Sequence, residues 1–271
     1  MALRADRRLS RVDAAGELVR AAEAAGLASC RDLLGLSEIE LVERLDLPLP
    51  TVGLLLDAVA AEVSPPPRTA LQLLRDRDAS GLRPLPTGIL PLDALLGGGL
   101  PRGSVCEAVG PSGVGKTQLC LSLAARALVE GAREGGRVVF IDTERSLELG
   151  ASRLIQMLSL NLSAQGMSHI YTSTQLASRL LVYRPDGWEA YCDCLDELEP
   201  LLLDNRGNIS FLAIDSVAAP ARAHFGKDQM SARQQQLAAH AARLKRLAET
   251  HKLCVLVVNQ ACHSPLGGVH S

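Results

Sequence analysis

Gly110-Pro111-Ser112-Gly113-Val114-Gly115-Lys116-Thr117 decides how this chain is read. The run fits G-x-x-x-x-G-K-[ST], the Walker A loop, and each fixed position has a physical reason. Its three glycines permit backbone conformations that a Cβ would forbid, so successive N–H groups can turn inward as an anion-binding nest. Lys116 then reaches the β- and γ-phosphates of a nucleotide, and the Thr117 hydroxyl ligates Mg²⁺. Residues 104–109 read as the strand before the loop. Residues 118–128 read as the helix after it, with Leu119, Leu123 and Ala127 on one face. That helix aims its positive N-terminal end at the phosphates. Every residue from Gly110 to Gln118 is therefore a candidate for the nucleotide site.

Composition narrows the class. The 271 residues suffice for one small and one larger domain, each with its own core. Aromatic residues make up only 3% of the chain, so the core is expected to be Leu, Val and Ala packed between helices and a sheet. A formal charge of −2 and a pI near 6.3 exclude a generally polybasic protein. Any nucleic-acid contact must then come from local patches. Seven cysteines at irregular spacing fit reduced thiols in a cytosolic or nuclear protein. Neither Cys192 with Cys194 nor Cys262 with His263 has the second pair that a zinc site needs. No stretch reaches the ~18 uninterrupted apolar residues of a membrane helix, so a soluble intracellular protein with no membrane partner is expected.

Residues 1–62 read as a helical domain, 63–91 as a linker and 92–271 as the nucleotide-binding core. Helical runs stand at 14–25, 30–34, 37–45 and 52–62. Ser37 with Glu40 makes a capping box ahead of Leu41 and Leu45. Asp46-Leu47-Pro48-Leu49-Pro50 connects the last two helices, which resemble a helix-hairpin-helix. A glycine in such a hairpin frees N–H groups for DNA phosphates, whereas Asp46 adds negative charge and the prolines remove donors. Residues 1–62 carry 7 basic and 11 acidic side chains, a net of −4. Packing or partner binding is thus favoured there over DNA binding through Arg4, Arg7, Arg8 and Arg11.

Ser64-Pro65-Pro66-Pro67 marks a stiff, extended linker, with a short helix at 69–78 behind it. Strands at 104–109, 137–142, 179–183, 209–214 and 253–258 alternate with helical patterns, which argues for an α/β fold with a mainly parallel sheet. The helix at 231–252 is expected to open on a capping box of Ser231 with Gln234 and to bury Leu237, Ala241, Leu244 and Leu247. Arg233, Arg243, Lys245 and Arg246 are expected on its solvated face.

Phe211-Leu212-Ala213-Ile214-Asp215 is a hydrophobic strand ending in an acid, the pattern of a Walker B carboxylate that holds Mg²⁺ through water. Val138-Val139-Phe140-Ile141-Asp142-Thr143-Glu144 is a second. Residues two apart on an extended segment share a side, so Asp142 and Glu144 are both expected at the C-terminal edge of the sheet, where ligands bind. Glu144 is the candidate to orient and deprotonate an attacking water, with an exposed loop carboxylate as the alternative reading. The strand at 254–258 ends in Asn259-Gln260, amides that either donate to a γ-phosphate or cap the strand end.

The order Walker A, I-D-T-E, D-S and V-V-N-Q resembles the RecA/RadA-type recombinase family over nearly the whole chain. Ser64-Pro65-Pro66, Thr87-Gly88, Leu92-Asp93, Gly98-Gly99, Ser231-Ala232-Arg233-Gln234 and Leu181-Val182-Tyr183-Arg184-Pro185 look most like its B-type eukaryotic paralogues. The resemblance implies a RecA-like P-loop core behind a helix-hairpin-helix-like domain, with ATP and Mg²⁺ as cofactors. It implies Lys116 and Thr117 on ATP–Mg²⁺, Asp215 as Walker B acid, Glu144 as catalytic base and Gln260 as an allosteric amide. It also implies DNA loops near 219–230 and after Gln260, with Arg222 and Lys227 as the basic side chains of the first. The implied setting is nuclear homologous-recombination repair on single-stranded and branched DNA. The implied partners are other recombinase paralogues in a hetero-oligomer, the C-type paralogue foremost.

Two departures qualify this. The family's F-x-x-A polymerisation motif is matched by Pro67-Arg68-Thr69-Ala70, without the apolar anchor, so a heteromeric partner is expected rather than a self-filament. By this resemblance Ser271 falls inside the second DNA loop, and the strands that complete the family's sheet are expected to lie beyond it. Two functions follow: a DNA-dependent ATPase subunit, or a non-hydrolysing ATP-bound scaffold that recruits other paralogues. A small-molecule kinase would need an arginine-rich lid, and no such segment separates the two Walker motifs.

Overall fold

The computed structural model describes residues 7–12, 16–64, 66–203 and 208–260, without the side chains of Glu148, Leu149 and Lys227. Arg4, Pro65, the Lys227 side chain and the expected second DNA loop therefore lie outside the described residues. The chain divides into two compact units, Met1–Ser80 and Gly81–Ser271.

The first unit packs α1 (Gly16–Ala24), α2 (Cys30–Leu34), α3 (Glu38–Leu45) and α4 (Leu49–Val63) around Leu9, Leu33, Leu41 and Leu55. The Ser37–Glu40 capping box forms, with the Ser37 N–H donating to Glu40 Oε2 at 2.7 Å. Asp46 takes the left-handed conformation of the hairpin (φ 52°), the place a glycine would fill. The last helix begins three residues earlier than its apolar pattern suggested. Pro48 is its N-cap and Pro50 lies in its first turn, where a missing N–H costs nothing. Arg7 pairs with Glu62 and so closes the unit rather than standing free. Helix α5 (Ala70–Ala79) follows, capped by Thr69 with Gln72, and buries none of its residues.

The second unit opens with α6 (Leu90–Leu95), held by Asp93. Its Oδ1 accepts from the Thr87 N–H and hydroxyl, both at 2.7 Å. Five parallel strands follow: β1 (Ser104–Gly110), β2 (Arg137–Asp142), β3 (Leu180–Tyr183), β4 (Ile209–Asp215) and β5 (Cys254–Gln260), in spatial order β1-β5-β4-β2-β3. All five expected strands are present within two residues of their predicted bounds. Strand alternation sorts the core into two faces. Val138, Phe140, Phe211 and Ala213 pack with α7 (Lys116–Glu130), α8 (Leu147–Ala164) and α9 (Ser173–Ala177). Val139, Ile141, Leu212 and Ile214 pack with α10 (Gly187–Leu203), α11 (Ala218–His224) and α12 (Met230–His251). Among the described residues no helix is long and apolar enough to cross a membrane.

Helix α12 departs from its expected details. It starts at Met230 with Gln229 as N-cap and no side-chain cap, so Ser231 already lies inside the first turn and Gln234 beyond it. Its buried stripe is His240, Leu244, Leu247 and Ala248, and Ala241 is exposed. A histidine takes the place expected of an alanine because the Tyr191 hydroxyl meets His240 Nε2 at 2.6 Å. Nor is the basic face wholly solvated. Arg243 reaches Asp196 (2.5 Å) and the Leu195 carbonyl (3.0 Å), and Arg246 reaches Glu199 (3.2 Å), stitching α12 to α10.

Candidate active site

The Walker A loop joins the end of β1 to the start of α7 with its glycines where the backbone demands them. Gly113 (φ 81°) and Gly115 (φ 95°, the N-cap of α7) lie in the left-handed region. Nothing stands within 4 Å of where a Cβ would be at either position, so the loop borders open space. Lys116 Nζ is folded back, donating to the carbonyls of Gly110 (3.0 Å) and Pro111 (2.7 Å). Thr117 Oγ1 donates to Asp215 Oδ2 at 2.5 Å. A cavity of about 240 Å³ opens over this loop, lined by Ser112, Gly113, Gly115, Lys116, Thr117 and Gln118 from one side. Glu144, Asp215, Val258 and Gln260 line it from the strand ends. Val114 points away, 60% exposed.

Burial pushes the Asp215 carboxyl above the usual carboxylate range. The Thr117 hydroxyl opposes this, the Glu144 and Asp142 carboxylates add to it, and the Lys116 charge partly offsets it. A hydroxyl and a carboxylate side by side make a donor set suited to a hard divalent cation, which would reverse that balance.

Asp142 does not join the cavity. Its carboxylate accepts from Ser146 N (2.8 Å), Ser146 Oγ (3.0 Å) and Leu147 N (2.9 Å), so it caps the start of α8. Both acids stand at the C-terminal edge of the sheet as expected, but only Glu144 lines the cavity. The exposed N–H groups of a helix start capture the first acid and leave the second to the cavity.

Glu144 Oε1 accepts the Ser216 hydroxyl at 2.8 Å, and Gln260 Nε2 stands 3.4 Å from both Glu144 oxygens. Gln260 thus faces the cavity while its neighbour faces elsewhere. Asn259 Oδ1 accepts from Ala218 N (3.2 Å), and its Nδ2 donates to Glu107. Asn259 therefore ties the end of β5 to the start of α11, a role that neither reading of this amide pair named.

A Rad51 family model matches residues 80–271, and an XRCC3/RpoA-like helix-hairpin-helix model matches residues 9–63. The chain belongs to the Rad51 family. It is 33% identical over 250 residues to "DNA repair protein RAD51 homolog 2" of Arabidopsis thaliana, a match covering 88% of this chain and 63% of that protein. It is 35% identical over 260 residues to "DNA repair protein XRCC3" of Bos taurus, covering 93% and 75%. To "DNA repair and recombination protein RadA" of Metallosphaera sedula it is 28% identical over 201 residues, covering 73% and 58%. The RecA/RadA-type resemblance of the sequence and its α/β core behind a helix-hairpin-helix domain both stand.

In this Rad51-family chain the segment expected as a first DNA loop is largely helical. Helix α11 occupies its first half, a 3₁₀ turn spans Lys227–Gln229, and α12 begins at Met230. Arg222 is exposed in the last turn of α11, well along the helix from the cavity-facing strand ends. Two site residues escaped the sequence reading, Thr143 and Ser216. The Thr143 hydroxyl accepts from Ser216 N and donates to the Ser216 carbonyl, each at 2.8 Å. Each directly follows a strand-ending acid, Asp142 or Asp215, and that adjacency was the signal available.

Proposed function

We propose that the chain is an ATP-binding, DNA-dependent ATPase subunit of a recombinase-paralogue complex, working in the nucleus in homologous-recombination repair. The carrying observation is the convergence of Lys116, Thr117, Glu144, Asp215 and Gln260, from four separate elements, on one cavity. The DNA-repair names of its relatives support the setting. The cavity's modest volume suits a phosphate chain, with base and ribose lying outside it.

Gly113 and Gly115 free backbone N–H groups of the loop to turn toward phosphate oxygens. Lys116, held by two neutral carbonyls, exchanges them for phosphate oxygens carrying full charge. Thr117 would hold Mg²⁺ directly and Asp215 through water. When bound, the ion neutralises charge building between the β- and γ-phosphates. Glu144 orients the attacking water and takes its proton, and Gln260 supplies an uncharged donor beside it. Pro111, Ser112, Val114 and Gln118 shape the loop and its mouth.

A second reading, the ATP-bound scaffold, draws on α5. Its Leu71 (54% exposed), Leu73 and Leu74 offer an apolar face with none of the helix buried. On that reading the face recruits another paralogue, the C-type foremost, and hydrolysis is dispensable.

Calorimetric titration with MgATP, paired with phosphate-release assays with and without single-stranded DNA, separates the two. Lys116→Ala is expected to lose measurable binding. Glu144→Gln is expected to bind as wild type and turn over about 100-fold more slowly or worse. Binding by wild type with no turnover in the presence of DNA and paralogue supports the scaffold instead.

A further inference from the structure

Ser216 is wholly buried, and its polar atoms are committed in two directions. Its backbone N–H and carbonyl are both taken by the Thr143 hydroxyl, which locks the end of β4 to the end of β2. Its own hydroxyl donates to Glu144 Oε1 at 2.8 Å and accepts from Ala219 N, in the first turn of α11, at 3.3 Å. A serine hydroxyl has one proton and two lone pairs, so this arrangement spends its only proton on the glutamate. The adjacent N–H, of Ala218, is capped by Asn259 from the end of β5. Val217, the N-cap position of α11, contributes no side-chain bond of its own. The start of α11 is thus capped by two residues that belong to the strand ends of the nucleotide site.

The far end of α11 is marked as well. Phe225, its C-cap, meets Trp188 edge-on with ring centroids 5.6 Å apart. Trp188 is the chain's single tryptophan, and it also packs against Tyr191 and His240.

We infer that Ser216 is a positioning residue that aims Glu144 and relays its state to α11. By holding Oε1 at 2.8 Å, it leaves Oε2, reached only by the longer 3.4 Å contact from Gln260, as the oxygen that takes a proton from water. When Glu144 re-forms its contacts around a bound nucleotide, the Ser216 proton must follow, and the Ala219 cap shifts with it. Movement of α11 then reaches Arg222 in its last turn and Phe225 against Trp188. The inference rests on the proposed role of Glu144, but its optical readout does not require hydrolysis.

The test is Ser216→Ala in the full chain, which removes one oxygen and leaves the backbone pair with Thr143 intact. Wild type, Ser216→Ala and Lys116→Ala are compared by calorimetric MgATP titration, steady-state turnover and Trp188 emission. For Ser216→Ala, affinity and KM are expected within about 2-fold of wild type, with kcat down roughly 10-fold or more, as for loss of other supporting hydrogen bonds. The change in Trp188 emission on adding MgATP, present in wild type, is expected to vanish. A variant with wild-type kcat and a wild-type emission response overturns the inference. MgATP binding to wild type with no emission change overturns the relay even where turnover is too slow to measure. No MgATP binding to wild type removes the nucleotide reading and the inference with it, an outcome distinct from the other two.

Discussion

The ends of β2 and β4 carry matching acids put to different uses. Asp142 and Asp215 are register partners on adjacent parallel strands and are 1% and 2% exposed. Asp142 spends its oxygens on three donors at the start of α8, where the helix's positive end favours a carboxylate. Asp215 accepts the Thr117 hydroxyl and otherwise faces the cavity, two other carboxylates and the Lys116 charge, which only partly offsets its burial. Burial and strand position do not distinguish them; their neighbours do. A carboxylate beside fresh helical N–H groups is a structural cap. One whose charge is poorly compensated in a cavity is poised for a cation.

Substitution should therefore separate the two acids by kind of effect. Asp215→Asn removes the charge meant for Mg²⁺, and turnover is expected to fall about 100-fold, read by phosphate release. The nucleotide-free protein should melt no lower than wild type, because the native site disfavours the ionised carboxyl. Asp142→Asn is expected to do the reverse, losing about 2–3 kcal/mol by denaturant unfolding. Its amide NH₂ faces a backbone donor that it cannot satisfy. If Asp142→Asn left stability untouched, the cap would not matter as described.

His240 gives a third buried titratable group, away from the cavity, against which both acids can be judged. Burial and then the charge of Arg243 hold its imidazole down to about 4, and the Tyr191 hydroxyl and Trp188 ring also face it. An unfolded histidine takes its proton first, near pH 6.5, so the stability this site contributes is present above 6.5. It is lost as pH falls from 6.5 toward 4. Melting at pH 5 rather than 7 is expected to cost on the order of 1–2 kcal/mol through this group. His240→Gln should flatten that dependence, and an unchanged slope would remove His240 as its source.

Much of this was legible beforehand. The loop at 110–117, the five strand runs and the Ser37–Glu40 box are local patterns with fixed spacing, and local patterns survive into the fold. Four readings were not legible, for a shared reason. Asp142 as a cap, Asn259 as a tie to α11, His240 as a core residue and Arg243 as a stitch each depend on which partner the folded backbone brings to them, four residues on for Asp142 and from distant segments for the other three. Their partners are Ser146, Ala218, Tyr191 and Asp196. Side-chain type limits what such a residue can bond, but only tertiary placement chooses among the options. The start of α12 failed differently. Ser231 and Gln234 have the right spacing for a cap, yet the helix already runs through them from Met230.

The most direct measurement is a Mg²⁺ titration of ATP binding on wild type, Asp142→Asn and Asp215→Asn, at one temperature where all three are folded. Wild-type affinity should rise with Mg²⁺, Asp142→Asn should trace the same curve, and Asp215→Asn should need about 10-fold more of the ion. ATP binding that ignores Mg²⁺ in wild type would contradict the assignment of this site. So would a shifted curve for Asp142→Asn beside an unshifted one for Asp215→Asn.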